Sequence, residues 1–347
     1  MLDILLIFAG GFIAIYAWRF SIIIGFIVSL LVFGILLYRR SAALCMGVAM
    51  RQYTLGKKNK AMDWFEKGYK FGMNTDQKIT YSYYLLREGR VIRCEEILNS
   101  MLSFRSQKPT DRSKAKLNHA MLLMKTGRVY EAVEELEEIF PTYKTSGLYG
   151  TLGFCYLVQG NIKKALEFNE EAYDYNGDDA IITDNLMQTY AKLDRFDDAY
   201  DLSKKLMDKK PAFREAYYDT AVVEYQLGKK EDALSRLEHA LTIPTSFMTT
   251  VSDDVINNLK EKIERGDAPE GSSMVFLEAK SAELPDTPTL RNRPVSFANG
   301  HISSSAAIEA DEPISFNSKA ADGEEMIETA AEPFEPETDD DDDGIFL

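Results

Sequence analysis

The sequence predicts an all-α protein with three regions: a transmembrane helical hairpin, an α-solenoid of about six helix pairs, and a disordered acidic C-terminal tail. Three observations carry that prediction. Residues 1–38 hold only two charges, Asp3 and Arg19; a two-helix pattern recurs from residue 42 to 266; and beyond 266 the composition turns to Pro, Ser, Ala, Asp and Glu. The charge is divided the same way. Residues 267–347 carry 20 acidic and 4 basic side chains, a net of −16, against a net of +1 for residues 1–266, so the whole-chain charge of −15 belongs to the tail.

The apolar start comprises LDILLIFAGGFIAIYA (2–17) and FSIIIGFIVSLLVFGILLY (20–38). A hydrocarbon core of about 30 Å needs about 20 helical residues, so one helix of both runs would be far too long. Residues 1–40 are therefore read as an anchor of two helices, 2–17 and 20–38, turning at Trp18, Arg19 and Phe20, where an amphipathic Trp and an Arg suit the membrane interface. The alternative is a single span over 20–38 with the first run in the interface or packed elsewhere. Gly10 with Ala14 and Gly25 with Ser29 give each run a small face that permits close helix contact. A cleaved signal peptide is disfavoured by the absence of a basic start and of a small-x-small site. After Tyr38 come Arg39, Arg40, Arg51, Lys57, Lys58 and Lys60 with no acidic residue before Asp63. The positive-inside rule then puts both termini, the solenoid and the tail on the cytoplasmic side of a two-pass cell-membrane protein, and the short hairpin and compact chain point to a bacterium. Cys45, Cys94 and Cys155 are odd in number and widely spaced, as buried reduced thiols would be.

The repeat is plainest in LYGTLGFCYLVQGNIKKALEFNEEAYDYN (148–176). Small residues at Gly153, Gly160, Ala165 and Ala172 and aromatics at Tyr149, Tyr156 and Phe168 describe two helices broken at Gly160, a residue able to end a helix in the left-handed conformation. A Gly or Asp at the turn followed five residues later by a small residue recurs as Gly56/Ala61, Gly89/Cys94, Gly127/Ala132, Gly160/Ala165, Asp194/Ala199 and Gly228/Ala233, with turn spacings of 33, 38, 33, 34 and 34 residues. A sustained period near 34 built from helix pairs resembles the tetratricopeptide repeat (TPR) family. Tyr149, Leu152, Gly153 and Tyr156 match the W, L, G and Y of that family's first helix, Ala165 and Ala172 the alanines of the second, and Pro211 the closing proline of the fifth unit. Asp194 departs at its turn, as do Ser82 and Cys94 at two small positions of the second unit.

The resemblance implies a superhelix whose first helices line a concave, peptide-holding surface. Carrying the family's groove positions over gives Met46, Met50 and Tyr53 in the first unit, Ile79, Tyr83 and Leu86 in the second, Leu117, Met121 and Met124 in the third, and Phe154 and Leu157 in the fourth. Polar residues enter with Asp184, Gln188 and Lys192 in the fifth and Glu215, Tyr218 and Tyr225 in the sixth. The chaperone-tail clamp of Lys, Asn and Arg known in some members is missing. An apolar, Met- and aromatic-rich strip adapts to varied partners and marks an interaction site for a helix or extended apolar peptide. Part of the same strip is open to a plainer reading, as inter-repeat core or as a surface packed against the membrane hairpin.

No catalytic or cofactor chemistry is legible. His119, His239 and His301 stand alone, with no i, i+4 partner, no Cys-x-x-Cys and no phosphate-cradling loop, and EELEEIF (134–140) is a solvated helix face. The near-neutral body and acidic tail give no reason to expect nucleic acid. SDDVINNLKEKIERG (252–266) reads as a capping helix over 252–265, with Ser252 as N-cap, an apolar stripe of Val255, Ile256, Leu259 and Ile263, and Gly266 as stop. In the tail, Asp339 to Asp343 would attract a basic partner. Two similar stretches there, RPVSFANG (293–300) and EPISFNSK (312–319), each offer Pro, a β-branched residue, Ser and Phe: Pro294 to Phe297 and Pro313 to Phe316. They read as a duplicated linear motif for this chain's own groove or for a separate partner, or as chance in a biased tail. The functional expectation is a membrane-anchored adaptor or scaffold without enzymatic activity; a subunit of a membrane enzyme complex is the alternative.

Overall fold

The computed structural model describes residues 2–104 and 108–269. Among them are fourteen helices and no strand: α1 (Leu2–Phe20), α2 (Ile22–Thr54), α3 (Lys58–Lys70), α4 (Thr75–Arg87), α5 (Val91–Leu102), α6 (Pro109–Lys125), α7 (Val129–Ile139), α8 (Ser146–Val158), α9 (Ile162–Asn176), α10 (Ala180–Lys192), α11 (Phe196–Asp208), α12 (Arg214–Gln226), α13 (Lys230–Thr242) and α14 (Asp253–Arg265).

The N-terminal reading needs correction. The expected helices 2–17 and 20–38 are Leu2–Phe20 and Ile22–Thr54, separated by Ser21 alone. The expected turn at Trp18 to Phe20 is helical, and α1 lies back along α2. There the Trp18 ring covers Gly25, Val32 covers Gly10, and Trp18 Nε1 donates to Ser29 Oγ at 3.2 Å. Among the described residues, α2 is the one helix long and apolar enough to cross a membrane, so the transmembrane hairpin reduces to a single candidate span. Nor does α2 stop at residue 38. Arg is a good helix former, Ser41 Oγ bonds back to the Tyr38 carbonyl at 2.6 Å, and no Pro intervenes before Gly56. At about 1.5 Å per residue, these 33 residues make a rod of about 50 Å. Its first half exposes Ile22, Ile23, Phe26 and Leu30, while its second half buries Ala42, Cys45 and Ala49 and packs on α3 as the first helix of the first pair.

The pairs that follow share one geometry. All six turn residues, Gly56, Gly89, Gly127, Gly160, Asp194 and Gly228, have positive φ, from 58° at Asp194 to 80° at Gly127. Each small residue five positions on (Ala61, Cys94, Ala132, Ala165, Ala199, Ala233) has no exposed surface, because it sits where two helices of a pair touch. The two departures in the second pair meet each other: Cys94 Sγ lies 3.2 Å from the Ser82 carbonyl.

In the 148–176 stretch, the flat residues pack against one another. Phe168 lies between Tyr149 and Tyr156, with ring centroids 5.4 and 5.3 Å away. Gly153 is small because a side chain there would collide with the Asn169 amide. Asn169 is buried and donates to Thr189 Oγ1 at 3.0 Å, tying α9 to α10, and Asn185 Nδ2 donates to the Gly150 carbonyl at 2.8 Å, tying α10 to α8.

First helices also touch along the array, α4 with α6, α6 with α8, α8 with α10 and α10 with α12, whereas second helices of neighbouring pairs do not pack to a comparable extent. The first helices are therefore on the inner, shorter side of the curve. At the far end α14 packs on α13. Its Ser252 hydroxyl accepts from Val255 N at 3.4 Å, Gly266 ends it with φ of 76°, and Ile256, Leu259 and Ile263 are buried.

Candidate protein-binding groove

The inner face divides by chemistry. On the side built by α2, α4 and α6, Tyr53, Ile79 and Met121 are half-buried and pack with Met46 and Met50 onto one apolar cluster. The Tyr53 hydroxyl donates to Glu88 at 2.6 Å, and its ring meets Tyr84 edge-on. Tyr83, Met124 and Phe154 are also half-buried. Leu86, Leu117, Leu157, Tyr218 and Tyr225 are buried, a correction to the expected lining. Each first helix is flanked by its own second helix and by the first helices beside it, so only a narrow stripe reaches the surface. Tyr225 points to the end of the array, where its hydroxyl donates to the Asp267 carbonyl.

On the side built by α10 and α12 the face is polar. Gln188 is buried between two carboxylates, its Nε2 donating to Asp184 Oδ2 at 2.9 Å and Asp219 Oδ2 at 3.0 Å. Burial, with the charge of Glu215 adding to it, pushes Asp184 up to about 7, and burial beside Asp184 and Glu215 raises Asp219 as well.

Between these two sides runs a segment that the sequence reading did not place, Ile243 to Val251, joining α13 to α14. A β-turn forms its centre: Thr249 N donates to the Ser246 carbonyl and Ser246 N to Thr249 Oγ1, both at 3.0 Å. At the corners of this turn Phe247 and Met248 join the apolar cluster of the first three pairs. Phe247 N donates to the Arg87 carbonyl at 3.2 Å, and its ring covers Gly89. Lys125, at the end of α6, donates to the Met248 and Thr249 carbonyls, both at 3.2 Å, and lies 5.7 Å from the Phe247 ring centroid. From the other side Glu215 accepts from Thr250 N at 2.5 Å and from Thr250 Oγ1 at 3.2 Å. Buried Arg214 closes the loop at its base, donating to the Ile243 carbonyl at 2.6 Å and the Val251 carbonyl at 3.4 Å while pairing with Asp253. Desolvation lowers the Lys125 pKa, and Glu215 opposes that shift. This strap thus joins the second and third pairs to the sixth. Its signal in the sequence was two large apolar residues, Phe247 and Met248, in a Pro-containing linker.

The two described histidines are absorbed by packing: His119 Nδ1 lies 2.9 Å from both Glu135 oxygens, and the His239 ring lies tilted against Tyr217 with centroids 4.4 Å apart. Cys45, Cys94 and Cys155 are buried free thiols, and burial pushes Cys94 and Cys155 up to about 12. Among the described residues no group of three His, Cys, Asp or Glu side chains could hold a metal ion. The tail motif residues Pro294, Phe297, Pro313 and Phe316, His301 and the acidic run lie outside the described residues.

No family model and no curated protein matches the sequence. Among solved structures the chain is similar to "APC/C hetero-tetramer Cut9-Hcn1", at 17% identity and a TM-score of 0.54, over 65% of this chain and 43% of that one; it thus spans less than half the length of that neighbour. It is also similar to a tetratricopeptide repeat protein from Parabacteroides merdae, at 12% identity and a TM-score of 0.53, over 74% of this chain and 98% of that one. The fold is a TPR-like helical repeat solenoid.

Proposed function

We infer that this chain is a membrane-anchored adaptor whose inner face holds a segment of a partner protein, with no catalytic role of its own. One observation carries the reading: the groove already holds a peptide-like stretch, the strap, by bonds to its main chain from Arg87, Lys125 and Glu215 and by apolar anchors on the cluster beneath. Main-chain bonds hold whatever runs past, and side-chain seats choose it. Tyr53, Ile79, Tyr83, Met121, Met124 and Phe154 are the residues we assign to contact the partner. The exposed apolar half of α2, with α1 along it, supports insertion in a lipid bilayer, and the basic flank from Arg39 to Lys60 supports a cytoplasmic solenoid. Because α2 runs unbroken into the first pair, the groove is rigidly tied to the membrane, so a partner held there is held close to the bilayer.

The test is photo-cross-linking in cells, with p-benzoylphenylalanine at Tyr83 or Phe154 of the full chain. The expected result is a discrete adduct with another protein at these positions and none from exposed Tyr130. Equal labelling at all three positions would overturn the groove as the binding surface. A reporter active only outside the cytoplasm, fused after Arg51, should be silent; signal there would reverse the orientation.

A further inference from the structure

The strap contains Pro244-Thr245-Ser246-Phe247, which is the tail string again: Pro, a β-branched residue, Ser, Phe. Of the four Ser-Phe pairs in the chain (103–104, 246–247, 296–297 and 315–316), the last three carry Pro and a β-branched residue in front. With 11 prolines in 347 residues, 7 of them in residues 267–347, composition alone would put Pro at that spacing before about one Ser-Phe in thirty over the chain and about one in twelve in the tail. The likeness extends past Phe. The strap's turn is closed by Ser246 N donating to the side-chain oxygen of Thr249, and the tail strings place Asn299 and Ser318 at the same step, each with a side-chain oxygen able to accept that bond. All three segments therefore carry the parts that the structure uses at 246–249: a Ser to open the turn, a Phe for its corner, and an acceptor to close it.

We propose that the strap's seat, formed by Arg87, Gly89, Lys125 and the apolar cluster, is a site for the pattern Pro-β-branched-Ser-Phe-x-(Thr/Asn/Ser), and that tail segments 294–299 and 313–318 of the same chain compete with the strap for it. The proposal rests on the groove being a peptide seat, the reading given above, but it needs no external partner. Reach does not limit it: the 27 residues between Gly266 and Pro294 can extend to about 90 Å, well beyond the length of α2. Nor does recognition depend on the strap's own sequence, since what the seat supplies to the main chain is a carbonyl at Arg87 and an ammonium at Lys125, which any occupant with that turn could use. Tethering gives both tail strings an effective concentration in the millimolar range. The strap is fastened at both ends by Arg214 and so starts with the advantage; the duplicated tail strings act as resident competitors that open it part of the time. A partner for the groove would then meet a site already exchanging occupants, and would need to outcompete a local pattern.

Amide exchange at residues 246–250 of the full chain in detergent or nanodiscs reads strap opening directly. With Phe297→Ala and Phe316→Ala together, the strap amides should exchange at least twofold more slowly, because the competitors are gone. Unchanged exchange would overturn the proposal. The second measurement replaces Phe297 or Phe316 with p-benzoylphenylalanine in purified full chain, in which no other protein is present. Adducts within one chain to residues 79–89 or 121–125, increased several-fold when Phe247→Ala weakens the strap, are expected. Adducts scattered over the surface would overturn the seat, and adducts only at the mass of two chains would overturn the same-chain occupant. A failed search for a partner in cells would leave these readouts unaffected, so the two readings fail separately.

Discussion

Along α4 and α6 the inner face is apolar and is covered by Phe247 and Met248 of the strap, whereas along α10 and α12 it is filled by Asp184, Gln188 and Asp219 bonding among themselves. When the first arrangement is undone, Lys125 and Glu215 lose their bonds to the strap but are uncovered to water along with the strap's main chain, and the cluster beneath is apolar. The second has no such escape: removing Gln188, the donor the two share, strands both buried carboxylates, which is costly in a low-dielectric interior. Exchange of occupants therefore belongs to the apolar half, and the polar half acts as a fixed wall against which Glu215 holds the end of the strap. The difference also sets what each half contributes to stability and to its pH dependence, and each prediction below acts on one side or on the joint between them.

The largest effect is expected at the joint. Gly153 of α8 makes room for the Asn169 amide, through which α9 is bonded to α10. Gly153→Leu should overpack this contact at a cost of about 3 kcal/mol, lowering Tm in detergent by about 10 °C for a solenoid of this size. A loss under 1 °C would mean that the two halves are not coupled through this pair.

Next is the strap itself. Phe→Ala in a full core costs about 3–5 kcal/mol; because Phe247 is half-buried, Phe247→Ala should cost about 2 kcal/mol. It should act on the apolar half alone, leaving the protection of α10 and α12 amides unchanged in exchange measurements. Loss of protection in both halves would show that the strap is part of the common core.

The polar half should carry the pH dependence. The folded-state pKa values of Asp184 and Asp219 are raised above the usual carboxylate range, so between about pH 4 and 7 the folded chain binds more protons than the unfolded one, and stability falls as pH rises through that window. Asp184→Asn should flatten the pH profile and stabilise the protein at pH 8 by at least about 1 kcal/mol. Melts at pH 5 and 8 check this, and an unchanged slope would remove the buried pair as its origin.

How far the sequence revealed this molecule follows from range. The turns and the small residues five positions after them are local features, set by backbone sterics within one pair, and all six were legible. The capping helix was legible for the same reason, from Ser252 and Gly266. What was not legible depended on distant chain. Leu86, Leu157 and Tyr225 fit groove positions by register yet are covered by neighbouring helices. The strap seat is built from residues more than 120 positions apart, Lys125 and Met248. The length of α2 was missed because a change in composition at Arg39 was read as a change in structure, although arginine has no reason to end a helix.

The smallest effect is expected at Asp194, which stands where the other five turns have glycine. Its φ of 58° is left-handed, a conformation costing most L-residues about 1–2 kcal/mol and Asp less, because its short side chain can bond locally. Glycine there would relieve that strain but would also add freedom to the unfolded chain, which offsets part of the gain. Asp194→Gly should therefore change stability by less than about 1 kcal/mol in either direction, whereas Gly228→Ala at the next turn, with φ of 75°, should destabilise by about 1 kcal/mol. Both turns lie in the polar half, so the pair asks whether that half is held by its turn geometry as well as by its buried bonds. Opposite signs in the two melts would show that the left-handed turn contributes, and a destabilising Asp194→Gly would show that the aspartate makes a bond there worth more than the strain it bears.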